Sequence, residues 1–208
     1  MVYDRIGAWQ DTQVFYEAPA LETLLQHGRF EEARSIFEVG CGTGRLAERL
    51  FLDRCPSDAQ YEGVDLSETM VEIARERLAS FGGRATVRQT DGRLTFEQSN
   101  GSYDRVVATF VLDLLSPGDA RTLIAEAHRL LAADGRLCLA GLTWGRDALS
   151  RIVSYSWDAL HSFRPEWVGG CRPVEGRTLL QQSRWRLLHH EVVTAWGVPS
   201  EVVVATPR

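Results

Sequence analysis

The sequence has no lysine. All 23 of its cationic side chains are arginine. A phosphate-binding Walker lysine, a Schiff-base lysine and a lysine general base are therefore excluded. The plain explanation is genomic base composition, and the exclusion holds whatever the cause. Cysteine is scarce as well. Cys41, Cys55, Cys138 and Cys171 are widely spaced, with no CxxC pair. Neither a zinc site nor a disulfide framework is indicated, so no metal is expected and buried free thiols are the default. Long apolar runs are missing. The longest, residues 106–115, is broken by Asp113 and is too short to span a bilayer. The opening Met1-Val2-Tyr3-Asp4-Arg5 carries an early acid and no apolar core of a secretory leader. An excess of positive charge is also absent. The net charge is −5 and no arginine run occurs, which weighs against a nucleic-acid partner. A reducing, cytoplasmic setting is the expectation.

What is present describes one ordinary domain. The 208 residues are 44% hydrophobic and 25% charged, enough to bury a core without staples. Strands and helices alternate. Residues 35–39, 61–64, 85–89, 103–110 and 136–142 read as short apolar strands. Residues 45–52, 67–81 and 116–131 read as amphipathic helices between them. Ser67 and Ser116-Pro117 are start signals for the last two helices, and Gly82-Gly83 and Asp134-Gly135 are stop signals. Residues 144–174 read as irregular and tryptophan-rich, followed by a short helix near 174–182. Residues 185–195 and 201–206 read as a closing antiparallel pair. Five βα units and a strand pair indicate an open, mostly parallel sheet with helices on both faces.

The informative segment is Glu38-Val39-Gly40-Cys41-Gly42-Thr43-Gly44, placed after a strand and before a helix. Glycines there permit a tight turn and let a ligand approach the backbone. The dinucleotide spacing GxGxxG would need a small third residue, and Arg45 stands at that position. The spacing is GxGxG, with an acid two residues before the first glycine. That carboxylate would repel a pyrophosphate and suits a cationic ligand.

Here the chain resembles the class I S-adenosylmethionine-dependent methyltransferases, in particular the small-molecule quinone and phospholipid branch. EVGCGTG is similar to their first motif, E/DxGxGxG. The resemblance covers roughly residues 30–143. It implies an α/β, Rossmann-like, doubly wound and mostly parallel seven-stranded sheet with an antiparallel last strand and a small cap. It implies S-adenosyl-L-methionine as cofactor, leaving S-adenosyl-L-homocysteine. Glu38, Gly40, Cys41, Gly42 and Gly44 would form the cofactor turn. Asp65, 21 residues after Gly44, would hold the ribose hydroxyls. Leu66 and Met70 would pack on adenine, and Asp91-Gly92 would read its amino edge. Thr109 and Phe110 would line the methionine moiety. Plainer roles stay open: Met70 as core, Asp91 as a turn residue, Asp65 as a helix-flanking acid. Tyr3-Asp4-Arg5 and Phe15-Tyr16-Glu17 resemble the family's segment that folds over the cofactor, so Tyr16 joins the site. The single domain would then span 1–208, with 1–30 a helical segment over the cofactor and 144–174 a substrate cap.

Methyl transfer from a sulfonium is an in-line displacement that rests on positioning and desolvation. A base is needed only where the acceptor must lose a proton. Asp113, just past the fourth strand, and His161, in the tryptophan-rich stretch, are the candidates. His27, His128, His189 and His190 read as structural or solvent-facing. Five of the six tryptophans lie in 144–208, where 8 arginines meet 6 acids. Trp144, Tyr155, Trp157, Arg164 and Trp167 are therefore the expected substrate residues. They suit a small apolar or aromatic acceptor, with an anionic group an option. The alternatives are an amphiphile or phospholipid acceptor at a membrane surface, and a cofactor-binding scaffold without catalysis. Peripheral membrane contact and oligomeric state stay open.

Overall fold

The structure is a computed structural model, and it describes residues 14–208. The expectation placed on Tyr3-Asp4-Arg5 lies outside the described residues. The elements are α1 (Val14–His27), β1 (Ser35–Val39), α2 (Arg45–Asp53), β2 (Gln60–Asp65), α3 (Glu68–Leu78) and β3 (Ala85–Gln89). They continue with β4 (Tyr103–Thr109), α4 (Pro117–Leu130), β5 (Leu131–Leu142), α5 (Ala148–Phe163), β6 (Trp185–Ala195) and β7 (Val198–Pro207). The seven strands form one sheet in the order β3-β2-β1-β4-β5-β7-β6. β1 to β5 pair in parallel, and β7 runs antiparallel to both neighbours. The order reverses beside β1, so the turns after β1 and β4 diverge. In open α/β sheets ligands bind in that crevice.

Strand alternation sends side chains to two cores. Ile36, Val107, Cys138, Ala140 and Val204 pack with α1, α2 and α3 residues such as Leu24, Leu50 and Ala74. Phe37, Val106, Leu137, Leu139 and Val203 pack with Leu123, Ile124 and Leu130 of α4. Helix starts follow the expected caps. Ser67 Oγ accepts from the Met70 N–H at 3.4 Å, and Ser116 Oγ from the Asp119 N–H at 3.1 Å. These bonds satisfy amides that a helix leaves orphaned.

Four expectations are corrected. Residues 144–174 are not irregular, because α5 occupies sixteen of them. Asp147 caps it, accepting from the Ser150 N–H at 3.0 Å, and Val153, Trp157 and Cys171 join an apolar cluster beneath it. The helix near 174–182 is only a 3-10 turn, Gly176–Leu179. The helix drawn to residue 81 ends at Leu78, and a 3-10 stretch, Ala79–Arg84, absorbs the rest with Gly82 at φ 61°. β5 also starts five residues early, at Leu131, through an irregular register beside Tyr103.

α1 is held at one end. Arg105 of β4 is 3% exposed. Its guanidinium donates to the carbonyls of Gly28 and Arg29, just past the helix, and to that of Asp104. Arg136 of β5 donates to the His27 carbonyl at 3.0 Å. Pro19 sits inside the same helix, where it supplies no backbone donor. Arg105→Met should cost about 3 kcal/mol, because the Gly28 and Arg29 carbonyls lose buried donors. The urea midpoint of the variant against wild type measures this.

Candidate functional site

The turn after β1 is built from its glycines. Gly40, Gly42 and Gly44 have φ of 70°, 52° and 75°, a region that side chains rarely occupy. A Cβ on Gly40 would lie 2.4 Å from Val111 Cγ2, and one on Gly44 would lie 3.1 Å from Ala74 Cβ. A Cβ on Gly42 would meet nothing within 4 Å. The first and third glycines thus let the turn pack, and the second faces open space. Arg77 of α3 braces the turn from outside, donating to the Thr43 carbonyl at 2.9 Å and hydroxyl at 2.8 Å.

Asp65 closes this turn from β2. Its Oδ2 accepts from the Gly42 N–H at 2.8 Å, and its Oδ1 accepts from the Ser67 N–H at 2.9 Å. The carboxylate is half-buried. Glu38 lies beneath the turn and is 2% exposed. Tyr61 donates its hydroxyl to Glu38 Oε2 at 2.6 Å. Burial pushes Glu38 up to about 8, with the nearby Asp65 charge adding to the effect. Cys41 is buried, and its thiol is pushed far up by burial and by the same two acids. It is a packing residue in the turn wall.

Beyond Asp65, Leu66 is 43% exposed, and its Cδ1 lies 3.4 Å from where a Gly92 Cβ would stand. Leu66 and Gly92 therefore border one slot. Asp91 is exposed, pairs with Arg93 at 3.3 Å and accepts its backbone N–H at 3.0 Å. Met70 is 1% exposed and belongs to the interior, so it presents no surface to a ligand.

The end of β4 carries the second half of the site. Thr109 is half-buried. Phe110 has φ 54° and donates its N–H to the Ala140 carbonyl at 2.7 Å. Its ring meets Tyr16 of α1 edge to face at 6.1 Å, and Tyr16 meets Trp157 of α5 at 6.4 Å. One aromatic chain thus joins α1, the end of β4 and α5. Asp113 follows, 1% exposed. Its Oδ1 is buried with no hydrogen-bond partner, and its Oδ2 is 3.5 Å from the Leu142 N–H. Burial pushes Asp113 up to about 7. Glu17 of α1 is pushed up to about 7 as well, by burial first and then by the Asp113 charge, with Arg45 opposing. Sequence reasoning gave Glu17 no role. It lies beside Tyr16 in a segment already singled out, but only the fold sets it near Asp113.

The expected substrate residues divide. Trp157 is half-buried and donates its Nε1–H to the Cys171 carbonyl at 3.1 Å. Trp144 and Tyr155 face each other with ring centres 5.1 Å apart. Trp144 also lines a cleft of about 120 Å3 with Arg146, Arg177, His190 and Glu201. Trp167 is 65% exposed, and the Arg164 guanidinium lies 5.5 Å over its ring. Those two stand at the outer end of α5. His161 sits in the last turn of α5 and does not line the cavity of Asp113.

The comparisons agree with this fold. A family profile described as a methyltransferase domain matches residues 36–135. The match takes in the glycine turn, Asp65 and Asp113 and covers just under half of the chain. It is similar to the ubiquinone/menaquinone biosynthesis C-methyltransferase of Geotalea uraniireducens, 30% identical over 127 residues, covering 60% of this chain and 52% of the relative. It is similar to the malonyl-[acyl-carrier protein] O-methyltransferase of Geobacter sulfurreducens, 35% identical over 131 residues, covering 63% and 46%. The chain spans about half the length of the curated relatives it matches. Among solved structures, geranyl diphosphate methyltransferase in complex with S-adenosylmethionine shares the fold, at TM-score 0.69 and 14% identity, covering 92% of this chain and 85% of that one. No helix of the described residues is long and apolar enough to cross a membrane.

The three raised carboxyls shape the pH response of the fold. Glu38 rises from 4.5 to about 8, so the folded chain binds that proton more tightly than the unfolded chain. Its contribution is complete below about pH 4.5 and is lost as pH rises through about 8. Glu17 and Asp113, each near 7, act in the same direction. Each such group costs at most about 1.4 kcal/mol per pH unit. Glu38→Gln should therefore flatten the fall in stability between pH 5 and 8, read from urea midpoints at each pH. An unchanged slope would mean that Glu38 is already ionised at neutral pH in the folded chain.

Proposed function

We propose that the domain binds S-adenosyl-L-methionine across the ends of β1, β2 and β4 and directs its methyl group to a small apolar or aromatic acceptor. The observation that carries this is the Asp65 carboxylate, fixed by the Gly42 and Ser67 amides beside an open glycine turn. Each carboxylate oxygen keeps a lone pair for a hydroxyl, so the group suits a vicinal diol such as ribose. Glu38, Gly40, Cys41, Gly42 and Gly44 form the floor of the cofactor cradle. Leu66 and Gly92 flank the adenine slot, and Asp91 stands at its exposed rim. Thr109 and Phe110 close the methionine end.

When bound, the cofactor supplies a sulfonium methyl that is already activated for displacement. The chain orients the acceptor and excludes water. Tyr16, Phe110 and Trp157 provide an apolar wall suited to an aromatic or isoprenoid acceptor. Asp113 and Glu17 are the groups poised to take a proton where the acceptor must lose one. His161 stands outside that group, at the end of α5.

Isothermal titration with S-adenosyl-L-methionine and S-adenosyl-L-homocysteine tests the cofactor. One site per chain is expected, and Asp65→Ala should weaken it by at least about 1.5 kcal/mol. Binding of neither compound would end the proposal. Unchanged affinity in Asp65→Ala would remove the ribose assignment.

A second reading, methylation of an amphiphile at a membrane surface, is favoured by α5. Leu149, Ile152 and Phe163 share one side of it and are 63%, 66% and 80% exposed, with Arg151 on the same helix. A panel of phenols, quinols, amines and phospholipid vesicles, assayed for S-adenosyl-L-homocysteine release, separates the readings. Turnover of soluble aromatics supports the first, and turnover only on vesicles supports the second. Turnover of none supports a cofactor-binding scaffold.

A further inference from the structure

On the opposite end of α1 the fold assembles a cluster that the sequence keeps apart. His27 closes α1, and His189 and Glu191 lie two apart on β6, the outermost strand, so they share one of its faces. The rings of His27 and His189 are stacked, with centres 3.6 Å apart and planes 7° from parallel. His189 Nε2 lies 3.3 Å from Glu191 Oε2, yet it is buried without a hydrogen-bond partner. One ligand atom from each of the three residues lies within 4.8 Å of the others.

We propose that His27, His189 and Glu191 form a binding site for a divalent first-row transition ion of the Zn2+ class. Two imidazoles and one carboxylate are a donor set such ions favour, and Mg2+ and Ca2+ prefer oxygen alone. Binding opens the stack: each ring turns out of its parallel plane so that both in-plane lone pairs meet at the ion. The fourth position is left to water. The ion ties the last residue of α1 to the edge strand, where it adds to the arginine bonds at the helix end.

The test uses tag-free, chelator-stripped full chain titrated calorimetrically with ZnCl2 and, separately, MgCl2. One Zn2+ per chain is expected, with no Mg2+ binding. His27→Asn and His189→Asn should each weaken Zn2+ at least about 100-fold, and Glu191→Gln at least about tenfold. His27 is exposed, so its variant leaves the core intact, and circular dichroism of each variant checks the fold. Zn2+ should also raise the unfolding temperature of wild type and leave that of His27→Asn unmoved. No Zn2+ binding by wild type, wild-type Zn2+ affinity in either histidine variant, or Mg2+ binding as tight as Zn2+ would overturn the proposal.

Discussion

The rest of the site depends on one carboxylate shared between two turns. Asp65 accepts one amide from the glycine turn after β1 and one from the start of α3. Both amides would otherwise need another partner, because neither belongs to a ladder. The two bonds fix the width of the crevice between neighbouring strand ends before any ligand arrives. That rigidity spares a ligand the entropic cost of ordering the turn. The glycines alone would give a flexible loop. The carboxylate makes it a cradle, and Arg77 locks its outer side.

Charge is divided along the same line. The acids pushed toward neutral pH, Glu17, Glu38 and Asp113, are gathered around the crevice. Several arginines are engaged elsewhere, as structural donors. Arg129 of α4 binds Glu126, the Gln98 and Phe96 carbonyls and Asn100 at once, stapling the loop before β4. Arg172 holds the Leu115 carbonyl, and its N–H reaches the Asp113 carbonyl. Each of these tasks uses the planar fork of a guanidinium, which an ammonium cannot copy. A chain without lysine loses nothing here, since its cations work as multidentate braces.

Much of the fold was legible because its signals are local. β1, β3 and β6 fall where their apolar runs predict, and the Ser67 and Ser116 caps start their helices as read. α5 was missed, although Asp147 with Ser150, and Leu149, Val153 and Trp157 at fourfold spacing, carry a helix signal. The tryptophans and serines of that stretch masked it. The glycine turn and Asp65 were legible from spacing, and the fold brings them into direct contact. Met70 is core, as its position on the buried stripe of α3 already allowed. Glu17 beside Asp113, and His27 against His189, could not be read, because each pairing joins distant segments through the packing of α1. His161 and Trp167, grouped with the site by their place in the tryptophan-rich stretch, stand at and just past the far end of α5.

Pro19 gives α1 an uneven character. Beyond it, the helix is anchored to the sheet through His27, Gly28 and Arg29 by two arginines from β4 and β5. Before it, the turn bearing Tyr16 and Glu17 lacks one rung of the hydrogen-bond ladder. Opening that turn breaks one hydrogen bond fewer than opening an unbroken helical turn. The aromatic wall and one of the two acids near β4 therefore hang on the least cooperative turn of a well-anchored rod. Displacing that one turn would part Tyr16 from Phe110 and Trp157 while the sheet and both cores stay closed.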